Sequence, residues 1–190
     1  MTWRAIPARK QSSQGTVHVG PWRVSAYPWG MSPPRVPLTL LDPEGGWINA
    51  PVHVHDLHGR PVLMYFWTER FASSRKQLPR LQALVEEFMP RGLQVIGVHV
   101  PEAGEDLARA MDTNELEALI KRLGIHHPVA VDDGSMALAY GVERMPTFLV
   151  FDETLWLRQR VQGEESMREG LRPLLEQLTS AGATSDAVAP

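Results

Sequence analysis

The sequence predicts an α/β domain in which a mixed central sheet carries helices on both faces, with an N-terminal extension, and three observations predict it. Val62 to Trp67 is an unbroken apolar run, the pattern of a strand covered on both sides. Leu78, Leu81, Leu84, Val85 and Phe88 then recur at helical spacing, and Leu93 to Val100 returns to strand pattern, completing a strand–helix–strand unit whose strands pair in parallel. Thr147 to Phe151 and Leu155 to Val161 are separated only by Asp152-Glu153-Thr154, the spacing of an antiparallel hairpin.

In chain order, residues 1–35 are rich in Pro, Gly, Ser and Trp without a sustained period, and read as an extended arm carrying Trp22, Tyr27 and Trp29. Val36 to Leu41 reads as a first short strand, closed by the turn-forming Asp42-Pro43-Glu44-Gly45-Gly46. Val52 to Leu57 alternates with period two and predicts a half-buried strand before the His58-Gly59-Arg60-Pro61 turn. After the Val62–Trp67 strand a helix is expected from about Ser73 to Met89, with Pro79 removing one N–H and kinking it.

Asp112 and Glu115 resemble a capping box for the helix that carries Leu116, Leu119, Ile120 and Leu123, and Gly124 stops it. Pro128 to Val131 reads as a third short strand, and Asp132-Asp133-Gly134 turns the chain into a brief helix through Met136 to Tyr140. A last helix begins near Glu165 on Met167, Leu171, Leu174, Leu175 and Leu178, and a frayed tail follows from Ser180. The expected organisation is an arm over 1–35, one domain over 36–180 and a flexible tail over 181–190.

Composition narrows the function. With 43% apolar and 22% charged residues the 190-residue chain is an ordinary folding sequence, long enough for one core. A net charge of −3 without a dense Lys/Arg cluster speaks against a nucleic-acid partner. No apolar run reaches the roughly 18 residues of a membrane span, and Gln11 to Gly15 stands where a secretory apolar stretch would be, so a cytoplasmic protein is expected. There is no cysteine: no disulfide, no thiolate metal site and no thiol nucleophile.

Phe66-Trp67-Thr68-Glu69-Arg70-Phe71-Ala72-Ser73-Ser74-Arg75-Lys76-Gln77-Leu78-Pro79 resembles the active-site region of TlpA/ResA-type thioredoxin-like domains in the AhpC/TSA superfamily, where FW leads into CxxC and then RxxxP. Gly46-Trp47-Ile48-Asn49, Asp56-Leu57-His58-Gly59-Arg60, Val95-Ile96-Gly97-Val98-His99 with Pro101-Glu102, and Gly124-Ile125-His126-His127-Pro128-Val129 resemble further elements of one subgroup. That subgroup includes the thioredoxin-like domains of NHL-repeat proteins and DipZ-type proteins. Tyr140-Gly141-Val142 and Met145-Pro146-Thr147 look like the cis-proline loop, so the resemblance implies a cis Met145–Pro146 bond. It covers about residues 46–180, and it accounts for Pro79 as the family's helix proline.

The resemblance implies a thioredoxin-like fold and a thiol-disulfide oxidoreductase ancestry, with Phe71 and Ser74 in the two cysteine positions. Phenylalanine cannot form a thiolate, and a serine can serve neither as sulfur nucleophile nor as sulfur leaving group, so thiol exchange and thiol peroxidase chemistry are both lost. The resemblance leaves a recognition surface: Trp67, Phe71, Ala72, Ser73, Ser74, Met145 and Pro146 are the candidate residues for binding a protein or peptide. No catalytic residue, cofactor or metal is expected. Phe71 as a simple plug of the old site is the competing reading. Two other functions stay open: an oxidoreductase or peroxidase acting by non-thiol chemistry or with a partner's cysteine, and a structural subunit assembled through Trp22 and Trp29 of the arm.

Other constellations have plainer explanations. His53 and His55 share a side of the expected strand with His58 nearby, but no carboxylate at a convincing spacing completes a metal set. His126 and His127 point to opposite faces if extended and suit packing and loop hydrogen bonding, and His99 ends a buried strand. Ser73, Ser74 and Ser135 lack a nucleophile elbow. Asp132 and Asp133 are explained as a helix cap, and no glycine-rich phosphate loop opens a helix.

Overall fold

The computed structural model describes residue 41 and residues 43–69, 72–101, 112–163 and 167–185, with side chains described outside 72–75, 167–169 and 181–185. The expected arm, and the expected strand over 36–41 apart from the buried Leu41, lie outside the described residues. The elements are β1 (Trp47–Ile48), α1 (Val54–Leu57), β2 (Val62–Trp67), α2 (Ala72–Phe88), β3 (Gln94–His99), α3 (Thr113–Arg122), β4 (Val129–Val131), α4 (Ser135–Ala139), β5 (Thr147–Phe151), β6 (Leu157–Gln162) and α5 (Met167–Ser185).

The strands form one mixed sheet in the order β1-β4-β3-β2-β5-β6. At its centre β2 runs parallel to β3, from Val62 opposite Gln94 to Trp67 opposite His99. On its other side β2 is antiparallel to β5, ending at Phe66 opposite Thr147. Side chains of a strand alternate between faces, which divides the core in two. Leu63, Tyr65 and Trp67 pack with α2, α3 and α5 residues such as Leu81, Phe88, Ile120, Leu171 and Leu175. Val62, Met64 and Phe66 pack instead with Val54, Leu57, Met136, Ala137 and Tyr140 from α1, α4 and the turn after it. Every residue of β2 is buried, which explains why its sequence shows no alternation.

Three elements differ from the sequence expectation. Val52 to Leu57 is not a strand: Val54 to Leu57 forms the short helix α1, because Val54 and Leu57, three apart, are the buried pair while His53, His55 and Asp56 face solvent. The Val-His-Val-His alternation imitated a strand. The second hairpin strand begins at Leu157, since Asp152 accepts from the Thr154 and Trp156 amides (both 3.0 Å) and the Thr154 hydroxyl (2.7 Å), winding Glu153 to Trp156 into a turn with Leu155 at φ 62°. At the C-terminus α5 continues to Ser185 instead of fraying from Ser180. The helix α2 runs through Pro79.

β1, which the residue pattern does not reveal as a strand, closes the sheet antiparallel to β4, Trp47 opposite Ala130 and Ile48 opposite Val129. Asn49 follows it at φ 71° and donates from Nδ2 to the carbonyls of Ile125 (3.1 Å) and His127 (2.8 Å). The two sequence elements around Asn49 and His127 are therefore two halves of one contact.

Among the described residues, the Tyr140 hydroxyl, buried between Phe66 and Phe151, has no hydrogen-bond partner. An unpaired buried hydroxyl carries its full desolvation cost, so Tyr140→Phe is expected to raise stability by about 1 kcal/mol. A lower urea midpoint for the variant would show that the hydroxyl is satisfied in solution.

Candidate functional site

Of the residues singled out by sequence, Trp67 and the Met145–Pro146 pair lie where the C-terminal ends of β2 and β3 adjoin the N-terminal end of β5. The peptide Met145–Pro146 is cis. Thr147 pairs with Phe66, so Pro146 stands one step along the register, beside Trp67. The Pro146 carbonyl accepts from the Gly163 amide at 2.9 Å, and the buried Thr147 hydroxyl donates to the Arg144 carbonyl at 2.5 Å. The segment that enters β5 is thus held from both sides of the proline.

Trp67 is buried, 1% exposed, and its ring meets that of His99 edge-on at 5.1 Å. Its indole N–H has no hydrogen-bond partner among the described residues. Trp67 therefore belongs to the core beneath the strand ends. Pro146 is also buried, whereas Met145 is half-buried and packs against the second face of the sheet. Ala72, Ser73 and Ser74 form the first turn of α2, and Phe71 lies outside the described residues.

The other candidates resolve as follows. Among the described residues no group of three His, Asp or Glu side chains converges to hold a metal ion. His53 and His55 sit at the start of α1 with rings stacked at 5.5 Å and nearly parallel, and His55 contacts Asp56 at 3.0 Å. Ser135 is part of a cap: Asp133 accepts from its amide at 2.8 Å, and Asp132 lies 3.4 Å from its hydroxyl. Asp132, fully buried, also accepts from the Met136 and Ala137 amides, both at 2.9 Å. It thereby satisfies the N-terminus of α4, the helix that leads into the Met145–Pro146 loop.

His126 is exposed, whereas His127 is buried. The His127 Nε2 and the Tyr65 hydroxyl share a hydrogen bond of 2.9 Å, with the rings edge to face. Burial, reinforced by the charge of His126, lowers the His127 pKa to about 4, and burial pushes the Tyr65 phenol above its ordinary value. Between about 6.5, the unfolded value, and about 4 the unfolded chain holds more protons, so this contribution is complete above the window and lost as pH falls through it. Moving from pH 7.5 to pH 5 is expected to remove about 2 kcal/mol through this histidine. His127→Gln should flatten that part of the profile, measured by urea unfolding of both proteins; parallel profiles would remove His127 as the cause.

Sequence reasoning missed two parts of this region. Tyr65 gave no signal beyond an apolar strand position, although a tyrosine within such a run calls for a polar partner. Arg160, in β6, donates to the carbonyls of Tyr140 and Gly141, a contact between residues about twenty apart that no local pattern reveals.

Comparison with known proteins adds to this geometry. The AhpC/TSA family model matches residues 37–160. The chain belongs to the AhpC/TSA family. The thiol-disulfide oxidoreductase YkuV of Bacillus subtilis (strain 168) is 28% identical over 136 residues, 70% of this chain and 88% of that protein. The thiol-disulfide oxidoreductase ResA of Bacillus thuringiensis (strain Al Hakam) is 25% identical over 129 residues, 67% of this chain and 69% of the relative. The crystal structure of a thiol-disulfide isomerase from Corynebacterium glutamicum superimposes with a TM-score of 0.66 at 26% identity, covering 77% of this chain and 96% of that one. The fold is thioredoxin-like, and this AhpC/TSA chain has no cysteine. Among the described residues no helix is long and apolar enough to cross a membrane.

Proposed function

We propose that this chain is a redox-inactive thioredoxin-like protein that binds an extended stretch of another protein. The binding surface is the Met145–Pro146 loop together with the start of α2, where Phe71, Ala72, Ser73 and Ser74 stand, supported by Trp67. The absence of cysteine from a chain whose relatives are named thiol-disulfide oxidoreductases carries this reading. Loss of the reacting sulfurs ends exchange chemistry, while the loop beside them keeps a fixed backbone. An apolar residue at position 71 adds contact area where the relatives' chemistry requires a thiol.

Two measurements test it. Purified protein should reduce insulin no faster than a heat-killed sample, and activity above that control would overturn the non-catalytic half. A photo-crosslinking residue at Met145 should give adducts in lysate of the source organism that one at Glu117, exposed on α3, does not give. Phe71→Asp should abolish them; the same adducts from both positions, or none, would count against the surface.

A further inference from the structure

We infer that Arg160 is a positioning residue for the Met145–Pro146 loop, an inference that rests on the binding reading above. Its guanidinium reaches from β6 to the end of α4, where Nη1 donates to the Gly141 carbonyl and Nη2 to the Tyr140 carbonyl, each at 2.7 Å. A helix C-terminus leaves carbonyls without intrahelical partners and concentrates partial negative charge, so a cation bearing two donors suits it. The planar fork of arginine spans two adjacent carbonyls, which the point charge of a lysine does not. Gly141 turns the chain at φ 62°, leaving its carbonyl presented to this fork.

A second anchor lies three residues beyond Arg160. The Gly163 amide, just past β6, holds the Pro146 carbonyl at 2.9 Å. Residues 142–145 therefore run between two attachments supplied by β6 and its exit, with the Thr147 hydroxyl fixing Arg144 in between. An arginine serving only to charge the outer strand would extend its head into water; here both arms are bonded to the main chain. Fixing the loop before a partner arrives removes an ordering cost from binding.

The test uses the full chain carrying Phe71→Cys and Ser74→Cys, which gives the site a measurable reaction. Arg160→Gln and Arg160→Lys are added separately, and kcat and KM are measured for insulin, a polypeptide disulfide, and for hydroxyethyl disulfide, which has no peptide backbone. Arg160→Gln is expected to lower the insulin-to-hydroxyethyl-disulfide ratio of kcat/KM about tenfold, through KM for insulin. Arg160→Lys should recover part of it. Hydrogen exchange should show faster exchange at amides 142–145 in Arg160→Gln, with β2 and β3 unchanged. An active parent whose ratio and loop exchange are both indifferent to Arg160→Gln overturns the inference. A folded parent inert toward insulin but active on hydroxyethyl disulfide overturns the binding surface instead, and the positioning role falls with it.

Discussion

Phe71→Cys combined with Ser74→Cys is expected to convert this chain into a disulfide reductase, with insulin reduction in the presence of dithiothreitol about tenfold above the reagent blank. The wild type is expected to stay at the blank. Position 71 immediately precedes α2, and the helix N-terminus lowers a thiol pKa there, raising the thiolate fraction at neutral pH by roughly an order of magnitude over an ordinary thiol. The thiolate at position 71 would attack one sulfur of the insulin bridge, forming a mixed disulfide and releasing one insulin thiol. The thiol at position 74, after losing its proton, would then attack the position-71 sulfur and release the second insulin thiol. Dithiothreitol reduces the resulting bridge and is itself oxidised. Without dithiothreitol, Phe71→Cys alone should stop at the mixed disulfide. A folded double variant that works no faster than the blank would mean that the former site no longer admits a polypeptide disulfide.

Asp132→Ala is expected to cost about 3 kcal/mol, because it strips a buried carboxylate from the Met136 and Ala137 amides and leaves both without their acceptor. That corresponds to a fall in Tm of roughly 6–12 °C for a chain of this size. The neighbouring Asp133→Ala should cost about 1 kcal/mol, since Asp133 is half-exposed and caps only Ser135. α4 has five residues and cannot stand without its cap, so the Met145 crosslinks should weaken in Asp132→Ala as well. Equal losses from the two substitutions would refute the distinction drawn between the two aspartates.

Legibility in the sequence followed the range of the interactions. β2, α2, β3 and α3 could be read because their apolar spacing reflects packing against a whole face of the sheet. The segment 52–57 misled because two valines and two histidines alternate over four residues, too few to separate a strand from a single helical turn. Both aspartates of the Asp132-Asp133 pair read as caps, but which one is buried depends on α4 and the sheet, beyond any local pattern. Tyr65 with His127, Asn49 with the 125–127 carbonyls, and Arg160 with the end of α4 join residues separated by 62, about 77 and about 20 positions. One sequence gives no signal for such pairs. At the site, what could be read was the loss of two sulfurs against a family pattern, because that is a statement about residue identity.

The two ends of the sheet differ in a way that bears on how these molecules behave when crowded together. At one end β1 offers only two residues, tied down by Asn49. At the other, β6 bears the exposed Arg158 and Arg160, and its register with β5 shifts between Val150 and Phe151. A long, flat, uncharged border is what lets one folded protein add its strands to another and grow into a fibre. Among the described residues neither border has that form, so concentrated solutions of this domain should stay dispersed while its sheet is intact, and aggregation should begin only where unfolding begins.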